Sequence, residues 1–288
     1  RCVERAGEYL TDGERGRIFG EANTTAVRDF PIGIDFDHHT KIAAGPETQA
    51  AIREWKLRLG SKVRVGIGID RIDYTKGIPE RFRALDLFFE RHPEWRGNLV
   101  FVQVGVPSRD EIPEYRQLAD EIKARIAALN GRWGTADWNP VQFVNENLPP
   151  SQMIALHRLA DFCLVTPLHD GMNLVAKEFV ASREDLDGVL VLSRFAGAAV
   201  ELSSGVLVNP FSEEDIANGI HTALTLPRAQ RMIRMCRMRS AVRDNDIHRW
   251  AADVFSAAVQ AAGAAESQRA LAAALPPRQA SAAEVFCS

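Results

Sequence analysis

Short runs of aliphatic and β-branched residues alternate along the chain with longer segments whose apolar residues recur every three or four positions. The short runs predict buried strands, and the longer segments predict amphipathic helices. Strands are expected at residues 63–69, 99–104, 140–143, 162–166, 188–192 and 205–208. Helices are expected at residues 79–91, 112–130, 150–159, 174–183, 213–225 and 228–244. This alternation predicts an α/β fold with a doubly wound, Rossmann-like parallel sheet.

The two ends of the chain lack this alternation. Residues 1–35 contain too little apolar periodicity for a domain, and we interpret them as the remnant of an amino-terminal domain with its connector. Residues 36–261 are predicted to form the Rossmann-like domain. Residues 262–288 are rich in Ala, Ser, Gln and Pro, and a loose tail is expected there.

Composition narrows the classes of partner. The 288 residues are 46% hydrophobic with a net charge of −3, so a large core is expected, but no field that attracts nucleic acid or an anionic membrane. No apolar run reaches the ~18 residues of a membrane span. The four cysteines are too far apart for the spacing of a zinc site or a disulfide scaffold. A cytoplasmic location is the simplest expectation, and a homo-oligomer is left open.

The first candidate loop, Gly68–Gly77, leaves the carboxyl end of the first predicted strand. Open parallel sheets bind ligands at that edge, where Arg71 and Lys76 could clamp a diphosphate. The alternative is a surface loop with two ordinary cations. Neither a complete G-x-G-x-x-G fingerprint nor a G-x-x-x-x-G-K-[ST] loop is present, which disfavours a dehydrogenase and a nucleoside triphosphatase.

The second candidate, Thr166–Phe179, begins as a strand end and finishes as helix. Asn173 can cap a helix that starts at Leu174, which leaves the first N–H groups free to face an anion. Glu178 lies about one turn, ~5.4 Å, further along the same face. It could accept hydrogen bonds from a ribose, or it could only stabilise the helix dipole.

Two other stretches give weaker signals. The small residues of Ser193–Leu202 permit close packing of a loop beside a ligand, but also close packing in general. Asp35 and Asp37, followed by two histidines, look like the Asp-x-Asp metal site of some sugar transferases, yet such pairs are common by chance.

Together these stretches resemble one family, the retaining sugar-nucleotide glycosyltransferases that make trehalose 6-phosphate. The resemblance covers about residues 25–255. It rests on seven ordered stretches: Phe30–Asp35, Asp70–Gly77, Val106–Arg109, Asn130–Gly134, Thr166–Phe179, Leu192–Ala199 and Val208–Phe211. Several motifs in one order are far more specific than any one of them.

The resemblance implies a GT-B enzyme, in which two Rossmann-like domains face each other across a cleft, and this chain is similar to the carboxyl-terminal, donor-binding domain. Such enzymes use no metal or cofactor. They move glucose from UDP-glucose to glucose 6-phosphate with retention of configuration. The proposed mechanism is front-face, and the leaving diphosphate accepts the proton of the acceptor.

The resemblance also implies roles for single residues. Arg71 and Lys76 would hold the diphosphate and offset the charge of the departing UDP. The backbone of Leu174 and Val175 would add to this, and Glu178 would bind the ribose. The glucose hydroxyls would be held by the Asp170 side chain and the backbone of the next three residues: Gly171, Met172 and Asn173.

Two features depart from the family pattern. The amino-terminal domain, expected to hold glucose 6-phosphate, would precede residue 1, so the chain as given is expected to be incomplete as a catalyst. His169 stands where family members commonly have Arg, which replaces a fixed charge with a titratable one. Two alternatives remain: a glucosylglycerol-phosphate synthase, and a non-catalytic nucleotide-binding module.

Overall fold

The computed structural model describes residues 10–12, 14, 16–19, 24–60, 62–108 and 111–274. The chain divides into two compact units. One consists of Pro31–Arg249, and the other of Arg1–Phe30 together with Trp250–Ser288. No described helix has the length and apolar character to cross a membrane.

The smaller unit contains a three-stranded antiparallel meander. Its strands are β1 (Leu10–Asp12), β2 (Arg17–Phe19) and β3 (Thr24–Ala26), paired in chain order. In the same unit the indole N–H of Trp250 donates to the carbonyl oxygen of Phe30 over 3.1 Å.

A long final helix runs from Ile247 to Ala274. The sequence predicts a loose tail from residue 262, whereas the structure continues the helix through the alanine-rich stretch as far as Ala274. Alanine has the highest intrinsic helix propensity, which accounts for the difference. Residues 275–288 lie outside the described part of the chain.

The larger unit is built on a six-stranded parallel sheet. Its strands are β4 (Arg64–Arg71), β5 (Leu99–Val106), β6 (Val141–Val144), β7 (Phe162–Val165), β8 (Val189–Ser193) and β9 (Val206–Val208). The spatial order is β6-β5-β4-β7-β8-β9, and every neighbouring pair is parallel. This is the strand order of a Rossmann fold, so the predicted fold class is confirmed.

Helices cover both faces of this sheet. In chain order they are α1 (Phe36–Ala44), α2 (Pro46–Leu59), α3 (Ile78–Arg91), α4 (Pro113–Trp133), α5 (Pro150–Leu159), α6 (Leu174–Ser182), α7 (Ala198–Glu201), α8 (Glu213–Thr225) and α9 (Arg228–Asp244). Helices α3, α4 and α8 supply the core on one face. The other helices bury their apolar residues on the opposite face.

Helices α1 and α2 were not predicted, since their segment is largely polar. In α2 the buried residues Ala51, Trp55 and Leu59 recur every four positions and form a narrow stripe that packs on the core, with Ile52 partly buried beside it. Pro46 occupies the first helical position, where its missing N–H costs nothing. A three-residue stripe is too short to distinguish from a surface loop by periodicity alone.

Strands β4 and β7 are neighbours in the sheet but are far apart in the chain. From β4 the chain winds outwards through β5 to β6, and from β7 it winds in the other direction through β8 to β9. Their shared boundary is a topological switch point, and a crevice opens outside the carboxyl ends of the two strands. Both leading candidate loops begin there.

Candidate functional site

The loops after β4 and β7 meet at this crevice. The backbone N–H of Leu168 donates to the carbonyl of Thr75 over 2.7 Å, and the ammonium of Lys76 lies 2.6 Å from a carboxylate oxygen of Asp170. Gly77 has a φ of 64°, and a Cβ at this position would lie 2.4 Å from a backbone oxygen of the β7 loop. Glycine permits both the left-handed backbone and this close approach. The structure therefore brings together the two loops that the sequence singles out.

The β4 loop presents two cations. Arg71 is the exposed last residue of β4, and in the described part of the chain its guanidinium has no ion-pair partner. Lys76 ends a 3₁₀ turn that Asp73 caps by accepting hydrogen bonds from the N–H and hydroxyl of Thr75. Burial acts to raise the pKa of Asp73, but those hydrogen bonds and the Lys76 charge lower it overall. The ionised carboxylate fixes the turn that carries Lys76.

Three donors surround the carboxylate of Asp170. They are the Lys76 ammonium, the backbone N–H of Met172 at 3.4 Å and the side-chain amide of Asn173 at 3.2 Å. Burial acts to raise the pKa of Asp170, but the Lys76 hydrogen bond and charge, followed by the other two donors, lower it overall. Asp170 is therefore an anion that aligns Lys76 and its own loop.

Asn173 is the N-cap of α6, as predicted. Its side-chain oxygen accepts from the backbone N–H of Ala176 over 3.1 Å, and the helix begins at Leu174. Its φ of 83° is unusual for a residue other than glycine, although Asn is among the residues that tolerate such angles best. The N–H groups of Leu174 and Val175 have no partner within the helix and point out of its tip.

Glu178 is half-buried in the second turn of α6. Burial raises the pKa of its carboxyl group, and no described residue donates a hydrogen bond to it. The effect of a helix dipole falls off within the first turn, so this position gains little from it. The helix-dipole alternative therefore accounts poorly for this residue, and the ribose contact stays a prediction.

The loop after β8 is part of the same crevice. The backbone N–H of Gly197 donates to the Asp170 carbonyl over 3.0 Å, and that of Ala198 donates to the Met172 carbonyl over 2.8 Å. A Cβ on Gly197 would lie 2.0 Å from the carbonyl oxygen of Gly171. Gly197 of this third, weak candidate is therefore needed because its backbone packs directly on the β7 loop.

Behind the crevice lies a buried polar network that sequence reasoning missed. The fully buried Arg81 donates to Asp70 and to Gln103, each over 2.7 Å, and to the Thr166 hydroxyl over 3.2 Å. These partners lie on or directly after strands β4, β5 and β7, so one guanidinium ties three strands together. The available signal was a charged residue at a core position of α3, flanked at helical spacing by Ile78 and Leu85.

A second buried ion pair supports α6 from behind. The ammonium of Lys177 is fully buried and donates to both carboxylate oxygens of Glu201 and to the carbonyl of Ile32, each over 2.9 Å. It therefore joins α6 to α7 and to the segment before α1. This residue also went unpredicted, although it follows the apolar run Leu174–Ala176 at the start of α6.

The Asp-x-Asp stretch has a structural role in the described chain. Asp35 caps α1 by accepting from the N–H of His38 over 2.9 Å. A ring nitrogen of His39 lies 2.8 Å from the hydroxyl of Ser182. Asp35 and His39 therefore have local structural roles at α1.

Comparison with known proteins adds to this geometry. The sequence model of glycosyltransferase family 20 matches residues 1–260. The chain belongs to glycosyltransferase family 20. It is 40% identical to the α,α-trehalose-phosphate synthase (UDP-forming) of Schizosaccharomyces pombe over 206 residues, which are 72% of this chain and 40% of that protein.

Solved structures of similar proteins share the fold. A Burkholderia xenovorans α,α-trehalose-phosphate synthase (UDP-forming) in complex with glucose-6-phosphate is 34% identical, with a TM-score of 0.80 over 83% of this chain and 52% of that one. An E. coli structure bound with UDP-2-fluoro glucose is 33% identical, with a TM-score of 0.83 over 88% of this chain and 56% of that one. The family 20 chain described here thus spans about half the length of the relatives it matches.

Proposed function

We propose that this chain is the donor-binding, carboxyl-terminal domain of a GT-B glucosyltransferase that moves glucose from UDP-glucose to glucose 6-phosphate and forms trehalose 6-phosphate. The observation that carries the proposal is the junction of the two loops at the switch point. It joins Lys76 to Asp170, which precedes the tip of α6, and Arg71 ends the strand from which the Lys76 loop leaves, in a chain that belongs to family 20. The relatives described above supply the identity of the two substrates.

The proposed roles follow the chemistry of each group. Arg71 and Lys76 bind the diphosphate and offset the charge that develops on the leaving UDP. The exposed N–H groups of Leu174 and Val175 add partial positive charge at the same point. The carboxylate of Glu178, to which no described residue donates, accepts hydrogen bonds from the ribose hydroxyls.

The glucose contacts are assigned to the β7 loop. The side chain of Asp170 and the backbone of Gly171, Met172 and Asn173 hold its hydroxyls. Asp170 has a second role in this proposal, because its 2.6 Å ion pair keeps Lys76 in place beside the diphosphate. In a front-face mechanism the diphosphate itself takes the proton of the acceptor, so stabilising the leaving group matters more than a pair of carboxylates.

The acceptor half of the reaction is part of the same proposal. Glucose 6-phosphate would be bound by a second domain that faces the crevice, which agrees with the share of the relatives' length that this chain spans. We place the reaction in the cytoplasm, where an exposed free thiol such as that of Cys236 is kept reduced. A homo-oligomer is compatible with the proposal.

Calorimetry with UDP, ADP and GDP tests the donor site. We expect saturable binding of UDP, and we expect Arg71→Ala and Lys76→Ala each to weaken it about 10- to 150-fold, because each removes a charge-assisted contact of ~1.5–3 kcal/mol. Arg64→Ala is the matched control, since Arg64 is the exposed arginine at the opposite end of the same strand. Unchanged UDP affinity in both clamp variants would contradict the assignment.

Product analysis tests the acceptor. The full-length protein is supplied with UDP-glucose and either glucose 6-phosphate or glycerol 3-phosphate. A product formed only from glycerol 3-phosphate would favour the glucosylglycerol-phosphate alternative. UDP binding without turnover of either acceptor would favour the non-catalytic module.

A further inference from the structure

A cluster of possible metal ligands lies at the opposite edge of the sheet from the crevice. Helix α3 leads from β4 into β5, so its end at Arg91 lies beside the amino ends of the strands. His92 caps that end, and Glu94 follows in a short 3₁₀ turn. Helix α8 packs on α3 and brings His221, which lies one turn from its end, against His92.

The distances within this cluster suit a small cation. A ring nitrogen of His92 lies 3.3 Å from a carboxylate oxygen of Glu94. A tetrahedral ion with ligands at about 2.1 Å separates two of them by about 3.4 Å, so this pair is already spaced for one ion. One possible ligand atom from each of the three side chains lies within 4.8 Å of the others. This exceeds the separation of about 3.4 Å in a tetrahedral site by at most about 1.4 Å, which is the distance that the His221 nitrogen would have to move towards the other two ligands.

The two imidazoles are stacked, with ring centroids 4.1 Å apart and planes 9° from parallel. An ion bound to imidazole lies in the plane of the ring, so two parallel rings cannot share one ion, and one of them has to turn. Nδ1 of His221 is buried and has no hydrogen-bond partner among the described residues. A buried nitrogen without a partner is energetically unfavourable. If the ring turned towards an ion, the nitrogen would gain a partner and that cost would be removed.

The helix ends around these three side chains favour the binding of a cation. The carbonyl ends of α3 and α8 both carry a partial negative charge next to the cluster. The side chain of Glu94 is 57% exposed and that of His92 is 21% exposed, so an ion can enter from solvent. Two imidazoles and one carboxylate suit zinc and its neighbours, whereas magnesium and calcium prefer oxygen ligands alone.

We propose that His92, Glu94 and His221 bind one divalent ion of the zinc class, with water as the fourth ligand. The ion would tie the end of α3 to α8, two helices on the same face of the sheet that are distant in sequence. Because an ion that binds only the folded state stabilises it, zinc would raise the unfolding temperature of the protein. The site is independent of the proposed sugar transfer.

Zinc binding to the untagged, chelator-treated chain tests the proposal. A Cys236→Ser background removes an exposed thiol that could bind zinc. We expect calorimetry to give one saturable zinc per chain, thermal unfolding to shift upwards with zinc, and cobalt to give the intense visible bands of a tetrahedral site. Zinc should leave UDP affinity unchanged.

Variants decide whether these three residues are the ligands. His92→Ala with His221→Ala should abolish stoichiometric binding, and the exposed Glu94→Gln should weaken it at least tenfold without affecting folding. His248→Ala removes a histidine that is 75% exposed and lies outside the cluster, so it is the matched control. Absence of saturable binding to the parent chain, or equal affinity in parent and Glu94→Gln, would overturn the proposal.

Discussion

Two lysine–carboxylate pairs lie at helix α6: Lys76–Asp170 at its amino-terminal tip, and Lys177–Glu201 along the body of the helix. At the tip, the side chains of Lys76 and Asp170 are 16% and 17% exposed. In the body, Lys177 is fully buried, Glu201 is only 12% exposed, and the ammonium has three acceptors for its three protons. The body pair is saturated and can only support the fold. The pair at the tip borders an open crevice, where a ligand can take up its remaining donors.

Breaking the buried pair Lys177–Glu201 should have the largest effect on the free energy of unfolding. Lys177→Met leaves the Glu201 carboxylate without its cation, and removal of one partner from a buried ion pair costs about 3–5 kcal/mol. We expect the free energy of unfolding, measured in urea, to fall by that amount with little change in the m-value. Lys76→Met should cost less, since Lys76 is partly exposed and Asp170 keeps the donors of Met172 and Asn173 when the ammonium is removed.

The double variant Lys177→Met with Glu201→Leu is the control for this interpretation. It removes both charges, so no unpaired carboxylate remains, and it should recover much of the lost stability. If the double variant is no more stable than Lys177→Met, the cost comes from lost packing and not from the charge. Equal effects of Lys177→Met and Lys76→Met would contradict the distinction between body and tip.

Two buried histidines near the body of α6 should make the stability of the protein sensitive to acid. His157 packs edge-on against Phe179 of α6 and is fully buried, with no hydrogen-bond partner for either ring nitrogen in the described chain. Burial, followed by the charges of His39 and Arg183, lowers the pKa of His157 to about 3. Burial is also the main cause that lowers the pKa of His39 to about 4.

The sign of the effect follows from these values. Both histidines bind protons more readily in the unfolded chain, where their pKa is about 6.5. Their neutral forms therefore support full stability above pH 6.5, and that stability is lost as the pH falls towards about 4 for His39 and about 3 for His157. Each should contribute a slope of about 1.4 kcal/mol per pH unit in the free energy of unfolding.

Urea unfolding between pH 7 and pH 4.5 measures this slope. His157→Leu should reduce it by about one proton and should itself stabilise the protein at pH 5, because it replaces an unsatisfied polar ring in the core. His248→Leu, at an exposed position, should leave the slope unchanged. A slope that is the same in His157→Leu and the parent chain would show that this residue does not cause the acid sensitivity.

The sequence predicted the tip better than the body, for a physical reason. Periodicity identified the six strands of the large sheet, and the cap at Asn173 was predicted from residue types that act locally. The networks of Arg81 and Lys177 depend on partners from distant segments, and their partners cannot be chosen before the topology is known. The β8 loop was undervalued for the same reason, since the closeness of Gly197 to Gly171 appears only when the loops are in place.

His169 gives the smallest and most specific test of the tip. It is exposed in the β7 loop, next to Asp170, at the position where the family resemblance leads us to expect Arg. A fixed guanidinium there would attract the anionic donor, but solvent screens an exposed charge, so we expect His169→Arg to raise UDP-glucose affinity only a few-fold in calorimetry. His38→Arg, in α1 and outside the crevice, should leave the affinity unchanged. Equal affinity in His169→Arg and the parent chain would make His169 a spacer, and the contribution of the tip to binding would then rest on Arg71, Lys76 and the helix N–H groups.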